Sequence, residues 1–195
     1  MSILKRVKLF FWARRRRNLC LVVDTNFLLR KENWEKLARL KVCIPVAVWQ
    51  EINLLYQGRM SKKGEEILRK TKLKERIEEM IKKKKWVLIS SAGTGIVKML
   101  EEIKIKDLDI DLTQIKIKFR KNTTLKKLLG VNDIRVLAAI ISLKNPNCYL
   151  LSYDKLLILV AEALKIKGID DLNKLNLDGV DDPRLFLLIF FLSLL

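Results

Sequence analysis

An α/β fold, with a central parallel sheet between two layers of helices, is predicted by three features of this sequence. Short apolar runs alternate with helix-like segments along most of the chain, as expected when each strand is followed by a crossover helix. The first run, Leu19 to Val23, is continuously apolar, the pattern of a strand buried on both faces rather than one. The length of 195 residues, half of them hydrophobic, suits one decorated domain better than two.

The elements follow in order. Residues 1–18 read as a basic arm, and 19–172 as the domain itself. After the first strand, helix-like sequence runs around Glu32 to Leu40, and Val42 to Ile44 forms a second strand. Pro45 then occupies a helix's first position, where its fixed φ and missing N–H are favoured. The helix it opens carries Val48, Ile52 and Leu55 on one face, with Glu51 beside them. A charged helical insertion covers 58–85, with Ile67, Leu68, Leu73, Ile77, Met80 and Ile81 in its apolar stripe. Trp86 to Ile89 is a third strand. From Ile96 to Lys121 the first part suits a helix, and the alternation at Ile115, Ile117 and Phe119 suits an amphipathic strand. Asn132 is read as the N-cap of a helix running through Val136 to Leu143, which Asn145-Pro146-Asn147 breaks. Cys148 to Leu151 is the fourth strand, followed by a helix over Lys155 to Lys165 that Gly168 stops. Residues 173–195 form an extension ending in the uncharged segment Leu185 to Leu195, about half the ~20 residues of a membrane-spanning helix. No membrane span is expected, and terminal packing on the core or a partner is the preferred reading.

Charge and missing residue types narrow the function. Lys and Arg total 40 against 22 Asp and Glu, a formal net charge of +18. Heat adaptation adds charges of both signs, so the imbalance points to a polyanionic partner, nucleic acid first and an anionic membrane surface second. There is no histidine, which excludes a Ser-His-Asp triad, a Cys-His pair and His-ligated zinc. Cys20, Cys43 and Cys148 are odd in number, far apart in sequence and embedded in apolar runs. They read as core thiols in a reducing, cytoplasmic setting.

Acid–base or metal chemistry must therefore rest on carboxylates. Asp24 and Asp154 follow buried strands, where open α/β sheets place their ligand crevice. Asp133 lies in the first turn of a helix, where the dipole favours a carboxylate, and Glu51 lies on the helix leaving the second strand. Converging, these four would repel one another unless a hard divalent cation compensated them. Each alone is weak evidence, since an aspartate after a strand is more often a cap or turn residue than a ligand. Asp107, Asp109 and Asp111 are alternatives to Asp133, but they lack its helix-start context.

The segment Val22-Val23-Asp24-Thr25-Asn26-Phe27-Leu28 resembles the opening motif of the PIN nuclease family. Ile44-Pro45-Val46 leading to Trp49-Gln50-Glu51-Ile52 is similar to its second acidic motif, and Asn132-Asp133-Ile134 with Leu137-Ala138-Ala139 to its third. Leu150-Leu151-Ser152-Tyr153-Asp154 is similar to the fourth, and the stretch through Gly168 and Asp171 resembles the PhoH-associated branch. The resemblance spans roughly 19–172. It implies that Asp24, Glu51, Asp133 and Asp154 bind one or two Mg²⁺ or Mn²⁺ ions, with Asn26 and Ser152 orienting the acids or a water. Thr25 is expected to bond the turn backbone. The implied activity is endoribonucleolytic cleavage of mainly single-stranded RNA, in processing, decay or as a toxin.

Trp12 with Arg14, Arg15, Arg16 and Arg17 combines a stacking ring with phosphate contacts, and Phe10, Phe11, Lys82 to Lys85, Lys116, Lys118, Arg120 and Lys121 add further candidates. A homodimer and an antitoxin or ribosomal partner are compatible with the resemblance. Two other readings remain: an inert PIN fold that binds RNA or the ribosome, and a phosphatase- or receiver-like domain built on Asp24. The latter lacks its second acid, since Asn26 stands there.

Overall fold

A computed structural model of the chain describes residues 19–59, 72–90, 94–110 and 122–175. The arm over 1–18, most of the insertion's first half, the alternation at Ile115 to Phe119 and the apolar segment 185–195 lie outside them. Five parallel strands form one sheet in the order β3-β2-β1-β4-β5: β1 (Cys20–Val23), β2 (Val42–Pro45), β3 (Trp86–Ile89), β4 (Cys148–Leu151) and β5 (Lys167–Ile169). Eight α-helices are described: α1 (Thr25–Leu28), α2 (Trp34–Leu37), α3 (Val46–Tyr56), α4 (Leu73–Lys82), α5 (Thr94–Glu102), α6 (Leu125–Leu129), α7 (Val131–Ser142) and α8 (Lys155–Ala163).

Leu21, Val22 and Val23 are all fully buried. Successive strand side chains point to opposite faces, so both faces of β1 are covered and the three-layer architecture follows. Helices supply the cover through apolar stripes. In α4 these are Leu73, Ile77 and Met80, and in α7 Ile134, Leu137, Ala138 and their neighbours. Each large side chain so buried contributes about 1.5–3 kcal/mol. On the edge strand β3, Val87 and Leu88 remain 44 % and 37 % exposed.

Several expected boundaries move. Pro45 is the last residue of β2 and the N-cap of α3, one position before the helix, with φ −58° and ψ 139°. Around Glu32 to Leu40 the chain makes a 3-10 turn over Lys31–Asn33 and then the short α2. The indole of Trp34 ties this region down by donating to the Leu28 carbonyl at 2.7 Å. Gly130, not Asn132, caps α7, and its φ of 94° is the left-handed backbone that glycine adopts freely. Gly168 does not stop α8. It sits in β5, where a Cβ would fall 2.8 Å from Ile158 Cγ2, so only glycine allows the strand to lie that close to the helix.

The cysteines are far apart in sequence but meet in the sheet. Cys20 pairs in register with Cys148, and its sulfur lies 3.3 Å from that of Cys43. All three are free thiols; Cys148 is buried and the other two are half-buried.

Candidate metal centre

The strand order reverses between β1 and β4, and the crevice beyond their carboxyl ends is where such sheets bind ligands. Asp24 leaves β1 and caps α1; Asp154 follows β4 and caps α8. A cap is an extended residue whose side chain accepts from the first free N–H groups of the helix, so both acids are held by local backbone.

Asp24 is 6 % exposed, and both of its oxygens are occupied. Oδ1 accepts from the Thr25 N–H at 2.6 Å, and Oδ2 from the hydroxyl of fully buried Ser152 at 2.9 Å. The Ser152 oxygen accepts in turn from the Asp154 N–H at 3.0 Å, so one hydroxyl links the two strand-end acids. Asn26 Oδ1 accepts from the Tyr153 N–H at 3.0 Å and lies 3.4 Å from Ser152 Oγ, bracing the same turn. Asp154 Oδ1 accepts from the N–H groups of Leu156 and Leu157 at 2.8 and 3.2 Å.

Thr25 departs from expectation. Its hydroxyl crosses to α3 and donates to Glu51 Oε2 at 2.8 Å, so it positions an acid rather than the turn backbone. Asp133 lies in the first turn of α7, as expected, and is half-buried.

Electrostatics tie the four together. Burial raises Asp133 from 3.8 to about 7, and the charges of Asp24, Asp154 and Glu51 push it in the same direction. Burial likewise lifts Asp24 to about 6; the Ser152 and Thr25 hydrogen bonds pull against this, and Glu51 and Asp154 push with it. None of the ion pairs among the described residues involves these four acids. The donors are all oxygen and carry no ion pair among the described residues, which suits a hard divalent cation. Among the described residues, no three acidic or thiol side chains stand close enough together to grip an ion as they are. The four carboxylates share one field. Of the three alternatives to Asp133, Asp107 and Asp109 are exposed, and Asp111 lies outside the described residues.

A further group escapes sequence reading. Tyr153, between Ser152 and Asp154, stacks on Phe27 with ring centroids 4.9 Å apart and carries the Arg30 guanidinium 3.9 Å above its ring. Its hydroxyl donates to Asn33 Oδ1 at 3.2 Å, and the buried Asn33 amide donates to the Phe27 carbonyl at 2.9 Å. The only sequence signal was the position of Tyr153 inside the fourth motif. Of the expected RNA-binding residues, Trp12, Arg14, Arg15, Arg16, Arg17, Lys118 and Arg120 lie outside the described residues. No described helix is long and apolar enough to cross a membrane.

A search of curated proteins finds no match. A family model described as the PIN domain matches residues 21–170, from the second residue of β1 to just past β5, and includes all four acids. The chain therefore belongs to the PIN domain family, whose members are generally nucleases that use divalent metal ions.

Proposed function

We propose that the chain is a metal-dependent endoribonuclease that hydrolyses phosphodiester bonds of mainly single-stranded RNA in the cytoplasm, in RNA processing, decay or as a toxin. The observation that supports it best is the mutual repulsion of Asp24, Glu51, Asp133 and Asp154 in one crevice, with no ion pair to offset it among the described residues. A protein retains such an arrangement at a cost to stability, and a functional site is the usual reason.

Asp24, Glu51, Asp133 and Asp154 would hold one or two Mg²⁺ or Mn²⁺ ions. When bound, the metal supplies an activated water and offsets the charge that builds on the scissile phosphate. The chain's own residues set the geometry. Ser152 and the Thr25 N–H fix the plane of the Asp24 carboxylate, and the Thr25 hydroxyl aims Glu51. The first turn of α8 takes one oxygen of Asp154 and leaves the other for a ligand. Asp133, easiest to protonate at neutral pH, becomes fully anionic only when a cation or higher pH favours it. Trp12, Arg14 to Arg17, Lys118 and Arg120 would bind RNA phosphates and bases, and a homodimer, antitoxin or ribosomal partner would complete the assembly.

The test is cleavage of a mixed single-stranded RNA pool with Mn²⁺, with EDTA, and by Asp24→Asn beside wild type. Cutting that needs both the metal and Asp24 supports the reading. RNA that is bound but stays whole under every condition overturns it in favour of an inert RNA-binding factor.

A further inference from the structure

The amino ends of the strands lie opposite the carboxylates, about 13 Å away along four-residue strands. Every described turn entering a strand at this end brings lysine and no acid. Lys41 precedes β2, Lys84 and Lys85 precede β3, Lys144 lies in the turn before β4, and Lys165 precedes β5, which itself begins at Lys167. All six are exposed, and none is paired with a carboxylate among the described residues. The nearest acids in sequence are Glu79 and Glu162 in the preceding helices and Asp170 past the far end of β5; Glu79 is taken by Lys83 and Asp170 by Lys174. Lys41 and Lys144 flank a groove of about 500 Å³ between β2 and the turn before β4.

Three of these lysines stand where glycine is favoured. Lys84, Lys144 and Lys165 have φ of 53°, 46° and 63°, each just past the end of a helix. Each turn is closed by N–H groups reaching back to the helix's last carbonyls, as from Lys84 to Ile81, Lys144 to Ile141 and Lys165 to Glu162. After α3 the same closure uses Gly58 at φ 68°. The fold accepts glycine there, yet at three turns along one edge it carries a strained lysine. A helix C-terminus favours a cation, but one lysine in the last turn would serve that without the strained backbone.

We infer that this lysine edge is a second nucleic-acid surface, which holds the phosphate backbone of RNA at the end of the domain opposite the carboxylates. Adjacent strands are about 4.8 Å apart, so the edge sets cations in two groups on either side of β1, which suits contact with several phosphates of one backbone. RNA held there and at the crevice would span the domain from end to end. This anchoring does not depend on whether the carboxylates cut.

The test replaces all three strained lysines together, Lys84→Gly, Lys144→Gly and Lys165→Gly. Glycine relieves the left-handed backbone, so the variant should melt no lower than wild type, and weaker binding would not reflect misfolding. Binding is measured in EDTA across a salt series, using a single-stranded RNA long enough to reach both ends. The expected result is a loss of affinity on the order of tenfold to a hundredfold near ~0.1 M salt, with the slope of log K against log salt shallower by about 2. Cleavage of a short oligonucleotide that reaches only the crevice should be unchanged. An unaltered slope would overturn the inference and leave the lysines as solvated helix caps. A change seen with phosphatidylglycerol vesicles but not with RNA would overturn it in favour of a lipid surface. If wild type never cuts RNA while the triple variant still loses binding, the nuclease reading fails and this one stands.

Discussion

Replacing Asp24 by Asn should stabilise the metal-free protein at alkaline pH and lose that benefit in acid. Burial lifts the Asp24 pKa from 3.8 to about 6, with Glu51 and Asp154 adding to it. Between those values the folded chain holds a proton that the unfolded chain has released, so stability falls as pH rises from about 4 to about 6. Two pKa units amount to about 3 kcal/mol, borne in full above that window. Asn keeps an acceptor for the Thr25 N–H but presents a donor to Ser152, whose hydrogen bond must invert at a cost of about 1 kcal/mol. The net gain near pH 8 is about 1–2 kcal/mol, or roughly 2–8 °C in Tm for a chain of this size. At about pH 3.5, below the unfolded value of 3.8, the carboxyl is neutral in both states and the variant should be no more stable than wild type. Thermal unfolding in EDTA at the two pH values measures this directly. Excess Mn²⁺ near pH 8 should then reverse the order, since only wild type presents the full set of acids. A variant destabilised equally at both pH values would refute the reasoning, because Asp24 would then be a structural cap and not a charge held against repulsion.

Other perturbations follow from the same contacts. Ser152→Ala removes a hydrogen bond that holds Asp24 down, so the acid limb of the pH–rate profile should move to higher pH, and stability should fall by about 1–3 kcal/mol. Thr25→Val frees Glu51 and should lower kcat with little change in KM, while Thr25→Ser restores it. Gly168→Ala drives a methyl into Ile158 and should cost about 1–3 kcal/mol in denaturant unfolding, most of it recovered when Ile158→Ala is added.

The parts of the fold legible in the sequence were those whose signal is local. β1 to β4 are apolar runs, and a strand buried on both faces needs little else to be recognised. β5 was missed because Lys167-Gly168-Ile169 is three residues long, with a charge and a glycine; its place is set by hydrogen bonds to β4 and close packing on Ile158. Gly168 therefore read as a helix stop, although Lys165 supplies the left-handed turn there. The acids were legible because each sits at a strand end or a helix start, a context visible in one dimension. What joins them was not. The bond from Thr25 to Glu51 spans 26 positions and that from Ser152 to Asp24 spans 128, and neither has a local pattern. The meeting of the three cysteines is likewise a matter of strand order, which composition does not encode.

The most direct test of the carboxylate centre is an Mn²⁺ titration of the purified protein, followed by loss of the free-ion EPR signal. Wild type should bind one or two ions near pH 8, with affinity weakening as pH falls through about 7 and 6, where Asp133 and then Asp24 take up protons. Asp24→Asn and Asp133→Asn should each weaken binding severely. Mn²⁺ that binds equally well to both variants, or does not bind wild type at any pH, would contradict the account.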